Sequence, residues 1–121
     1  MEFNNNLPIY IQIMNLIKSK MVLGEFNGGD KLPSVREFSK ELKVNPNTIQ
    51  RGYQELEREG LVFTQRGMGT FVTQDVDAIK NLKKKMADEL IDGFFKEIKK
   101  LGIEIDEIKK IISERIEEDK E

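Results

Sequence analysis

Apolar residues recur at helical spacing near the start of the chain, where Ile9, Ile13, Leu16, Ile17 and Met21 follow one another until Gly24. Pro8 suits the first turn, because its missing N–H leaves no bond unmade, and the pattern predicts a helix of about four turns. The stretch EFNGGDKLP reads as loop, with paired glycines and then Pro33. A second, short helix is predicted over roughly Val35 to Leu42, burying Val35, Phe38 and Leu42. Ser34 stands three residues before Glu37, the spacing of a capping box. A third helix is predicted from Pro46 to Glu59, with Ile49, Tyr53 and Leu56 on its inner side. Asn45 is its N-cap, Pro46 its first residue and Gly60 its left-handed terminator.

Beyond Gly60, the β-prone runs LVFTQ and TFVT flank RGMG and predict a hairpin. A helix-turn-helix followed directly by a hairpin is the order of a winged helix. Helical spacing then returns at Ile79, Leu82, Met86, Leu90, Phe94, Ile98 and Leu101, and Gly102 ends that run. A last helix begins near Glu104 to Asp106 and carries Ile108, Ile111, Ile112 and Ile116. Two helices cannot enclose a core of their own, so these apolar stripes require a partner surface, and self-association supplies one most economically. The expected fold is mainly α with a small β-hairpin: an N-terminal winged helix-turn-helix over residues 1–74 and a C-terminal two-helix dimerisation segment over residues 75–121. Ile79, Leu82, Met86, Leu90, Phe94, Phe95, Ile98, Ile108 and Ile112 are the expected dimer interface.

Composition narrows the function. A chain of 121 residues holds one ordinary domain, or a small domain with an appendage. It contains no histidine and no cysteine, so the usual general base, thiol nucleophile and zinc ligands are missing, and neither an enzyme nor a metal or cofactor is expected. The GxG of RGMG lacks the strand-to-helix context of a nucleotide loop. MEFNNNLP lacks the pattern of a signal peptide, and no apolar run approaches ~18 residues, so a cytoplasmic protein without a membrane partner is expected.

Net charge is −2, which by itself speaks against a nucleic-acid partner. Its distribution changes that. Residues 30–72 carry seven Lys/Arg against six Asp/Glu, and residues 73–121 carry eleven against fourteen. The acidity sits in the tail, and a DNA reader needs a local positive surface rather than a basic average. Asn47, Thr48, Gln50 and Arg51 lie on the side of the third helix away from Ile49, Tyr53 and Leu56. Arginine can fork onto guanine and Asn or Gln onto adenine, each worth ~1–3 kcal/mol of discrimination. Arg36 sits in the first turn of the second helix, where a cation is unfavourable unless a phosphate or base is near. Ser34 is explained by its cap and can also donate to a phosphate. Gly67 and Gly69 allow close backbone approach, with Arg66 and Thr70 beside them. The basic run KNLKKK at residues 80–85 reads as the solvated face of its helix.

The elements LPSVRE, VNPNT, LEREGL and RGMGTFV, in that order, resemble the winged-helix DNA-binding domain of the GntR family of bacterial transcription regulators. The resemblance covers about residues 7 to 73, includes PIYIQI in the first helix, and with so short a helical tail is similar to the YtrA subfamily. Phe38, Ser39 and Gly52 depart from the leucine, alanine and alanine usual there, and Pro46 stands where the fatty-acid-responsive branch has a base-reading arginine. The resemblance implies a homodimeric repressor on a palindromic double-stranded operator, with Arg36 at the DNA and transporter genes among the targets. No effector and no operator sequence is legible. The alternative is a winged helix that serves as a protein-interaction module, in which Arg36, Asn47 and Arg51 would be dispensable.

Overall fold

Helix α3 (Pro46–Arg58) organises the molecule, because its apolar side is shared by every element around it. In the computed structural model, which describes residues 2–120, it packs against α1 (Ile9–Val22), α2 (Val35–Leu42) and β1 (Val62–Gln65). The remaining elements are β2 (Gly69–Val72), α4 (Val76–Lys99) and α5 (Ile105–Asp119). Five helices and one antiparallel hairpin are the expected class. Among the described residues, no helix is long and apolar enough to cross a membrane.

The chain divides into two compact units, one reaching Lys84 and the other starting at Lys85, so the division falls inside α4. In the first unit, Ile13 and Ile17 of α1, Leu32, Ile49 and Leu56 of α3, and Val72 of β2 are fully buried. Sequence periodicity identified most of these. It did not identify Gln12, whose side chain is buried yet satisfied: Nε2 donates to the carbonyls of Asn4 and Leu7, and Oε1 accepts from the Asn4 amide. Gln12 thereby folds the leading asparagine run onto α1.

Helix α2 buries only Phe38, whose ring lies 6.4 Å from that of Tyr53, while Val35 and Leu42 stay half-buried. At eight residues the helix is too short to cover all three. Ser39 is accounted for as well, since its hydroxyl donates to the Val44 carbonyl across the turn into α3. That turn places Lys43 in the left-handed region (φ 57°), and the Asn45 side chain then accepts from the Asn47 amide. At the far end Gly60 (φ 77°) reverses the chain, with the Leu61 amide returning to the Leu56 carbonyl.

The hairpin pairs Val62 with Val72 through to Gln65 with Gly69, and the rings of Phe63 and Phe71 stack at 5.6 Å. The EFNGGDKLP stretch is more than a loop. Lys31 bridges Phe71, the Leu32 amide donates to the Thr70 carbonyl, and the Val72 amide donates to the Asp30 carbonyl, each of these bonds being 2.8 Å. This pairing covers the outer edge of β2 with a segment too short and too glycine-rich to show strand alternation.

In the tail, α4 and α5 end and begin about where spacing predicted, with Gly102 at φ 68° between them.

Candidate nucleic-acid interface

The start of α2 is fixed by a complete capping box. Ser34 Oγ accepts from the Glu37 amide at 3.0 Å, and Glu37 returns to the Ser34 amide at 3.2 Å. These bonds to Ser34, followed by the positive charge of Lys31, hold the exposed Glu37 carboxyl below its ordinary value. Just upstream, the Tyr53 hydroxyl donates to the Pro33 carbonyl at 2.7 Å, which ties the middle of α3 to the chain entering α2. Burial, then the negative charges of Glu37 and Glu41, push the Tyr53 phenol well above its ordinary value. It stays a neutral donor.

Two hollows gather most of the residues singled out from sequence. The first is a cleft of about 490 Å³ between the stretch before α2 and the hairpin, and Ser34, Arg66, Gly67, Gly69 and Thr70 all line it. Lys31 lines it too, and sequence reasoning missed that residue. Its alkyl stem lies against Gly69, where an added Cβ would sit 2.7 Å from Lys31 Cε, and Gly69 itself holds φ at 127°. Gly67 (φ 79°) meets no such neighbour, so its glycine serves the tight turn that the Met68 amide closes onto the Gln65 carbonyl.

The second hollow, about 390 Å³, lies at the start of α3 and is lined by Asn45, Asn47, Thr48 and Arg51 together with Ile9 and Tyr10 of α1. Here the Arg51 guanidinium carbon lies over the Tyr10 ring, 3.9 Å from its centroid. Arg36 and Gln50 are exposed and line neither hollow. Asn47, Gln50, Arg51, Arg36 and Arg66 are all exposed, whereas Thr48, Gly69 and Thr70 are half-buried. Among the described residues, the side chains of Arg36, Asn47, Gln50, Arg51 and Arg66 make no hydrogen bond or ion pair within the chain.

The residues expected at a dimer interface fall into three groups in the single chain. Leu82 and Ile108 are already covered; Ile79, Met86, Ile98 and Ile112 are half-buried; Leu90, Phe94 and Phe95 are exposed at 75%, 44% and 38%. Ile91, Leu101, Ile111 and Ile116 are exposed as well.

Comparison with known proteins places the fold in a family. The model of the gntR family of bacterial regulatory proteins matches residues 9–72. The HTH-type transcriptional regulator YhcF of Bacillus subtilis is 47% identical over 107 residues, 88% of each chain. The HTH-type transcriptional repressor YtrA of the same organism is 35% identical, across 91% of this chain and 85% of YtrA. A solved GntR family regulator from Listeria monocytogenes superposes with a TM-score of 0.85 at 41% identity, covering 93% of this chain and 98% of that one. The DNA-binding domain of AraR, solved in complex with operator ORX1, superposes with a TM-score of 0.56 at 28% identity, over 60% of this chain and 93% of that one. The chain therefore belongs to the GntR family of DNA-binding bacterial transcription regulators, with YtrA among its relatives.

Proposed function

We propose that this chain is a sequence-specific repressor that binds a palindromic operator as a homodimer. One observation carries the reading: the first two turns of α3 present the side chains of Asn47, Gln50 and Arg51 outward with no hydrogen-bond or ion-pair partner among the described residues. Unspent donors and acceptors at the start of a recognition helix are what base readout in the major groove needs. The cleft before α2 supports phosphate contact beside it, since Ser34, Lys31 and Arg66 converge there. Residues 1–74 would carry this reading surface and residues 75–121 the dimer, whose apolar contact the exposed Leu90, Phe94 and Phe95 would provide. Operators of such a dimer have half-sites about one helical turn apart. Transporter genes, the targets that the family resemblance implies, are the first loci in which to seek that sequence.

The test begins by selecting duplexes from a random pool with the full chain. Replacing both Arg36 and Arg51 by alanine should weaken binding to the selected duplex and lower the salt slope by about two. Unchanged affinity and slope, or a wild type that selects no sequence, would overturn the reading. For the dimer, a chain ending at Gln74 should sediment as a monomer; a tight dimer would place the interface elsewhere.

A further inference from the structure

Tyr10 lies on α1, outside the helix-turn-helix, yet the Arg51 guanidinium carbon sits over its ring, 3.9 Å from the centroid. The two helices come close at this point. A Cβ on Gly52, the next residue after Arg51, would sit 3.5 Å from the Tyr10 carbonyl and 3.5 Å from Ile13 Cγ2. Tyr10 is half-buried and Arg51 exposed, so the ring is fixed by the fold while the arginine extends from it toward solvent.

The geometry points to Tyr10 as a positioning residue for DNA recognition, acting by holding the Arg51 guanidinium in place before DNA arrives; this rests on the function proposed above. The contact is one of cation and ring, and the Arg51 side chain makes no hydrogen bond among the described residues, so its N–H donors stay free for a base or phosphate. An exposed arginine on a flexible stem must otherwise be immobilised at the moment of binding, and pre-ordering removes that penalty. The other lining residues fit the same role: Asn47 and Thr48 share the hollow with Arg51, so the held fork sits beside two further polar groups of the recognition helix.

The experiment uses the full chain and the highest-affinity duplex that the wild type recovers from a random pool. Tyr10→Leu should weaken binding about two- to fivefold, the range of an exposed cation–π contact. Tyr10→Phe, which keeps the ring, should bind as the wild type does. In an Arg51→Ala background Tyr10→Leu should produce no further loss. A neutral Tyr10→Leu, or an equal loss with and without Arg51, would overturn the inference, the second outcome because it marks a packing role only. A fold-independent readout is the side-chain Nε–H relaxation of Arg51 in the free wild-type protein, which should be more ordered than that of Arg66; equal mobility would also overturn it. A wild type that selects no sequence would sink the proposed function itself, whereas a selective wild type with a neutral Tyr10→Leu sinks only the role of Tyr10.

Discussion

Tyr53→Phe isolates one bond that ties α3 to the chain entering α2. The tyrosine is 4% exposed, and its hydroxyl donates to the Pro33 carbonyl at 2.7 Å. Phenylalanine keeps the ring against Phe38, so packing is unchanged and only the bond is removed. The net loss for such a bond is about 1 kcal/mol, and an acceptor left unpaired adds to it. Pro33 is half-buried rather than sealed, so water repairs part of that penalty and the expected destabilisation is about 1–2 kcal/mol. Urea titrations of both proteins at one protein concentration would measure it. The pH dependence gives a second arm. Burial and the charges of Glu37 and Glu41 raise the phenol's pKa in the folded state, so the tyrosine's contribution is complete below about pH 10 and is lost as pH rises beyond that value. The variant has no such group. The stability gap should therefore narrow in alkali. Equal stability at neutral pH, or a gap that stays constant past about pH 11, would refute the reasoning.

Gly52→Ala should stabilise the chain by about 0.5–1 kcal/mol, because its new Cβ meets Ile13 and the Tyr10 carbonyl at an ordinary 3.5 Å while the helix loses a flexible residue; thermal melting checks this, and a lower midpoint would show that α1 and α3 have no room. Asn45→Ala should cost about 1 kcal/mol by removing the bond to the Asn47 amide, measured in the same titration, with the sequence selected from a random pool unchanged.

The helices and the hairpin were legible because each is written in local spacing and in capping residues adjacent in sequence. Ser34 with Glu37, Asn45 with Pro46, and Gly60 needed no knowledge of the rest of the chain. What stayed hidden depends on residues far apart in sequence. The pairing of Lys31 with Phe71 puts a third backbone segment beside β2 and brings Lys31 into the wing cleft, and no periodicity in EFNGGDKLP announces it. The contact of Tyr10 with Arg51 is set by how α1 crosses α3, which the two spacing patterns cannot encode separately. Gln12, which no spacing argument singles out, is a buried anchor for the carbonyls of Asn4 and Leu7.

The polar start of α3 divides along the same line. Asn45 spends its side chain on the Asn47 amide, and Pro46 removes a donor that the first turn would leave orphaned, so the helix alone accounts for both. The side chains of Asn47, Gln50 and Arg51 contribute no hydrogen bond to the described fold, while Ile49, Tyr53 and Leu56 on the other side of the helix are nearly or fully buried. A helix that alternates in this way separates two properties by position. Under the proposed function, changes on the inner side should alter whether the surface exists, and changes on the outer side should alter what it reads. Arg51 belongs to the outer side by exposure but lies against Tyr10 of α1, so a substitution at Tyr10 should then reach that surface without touching a residue of α3.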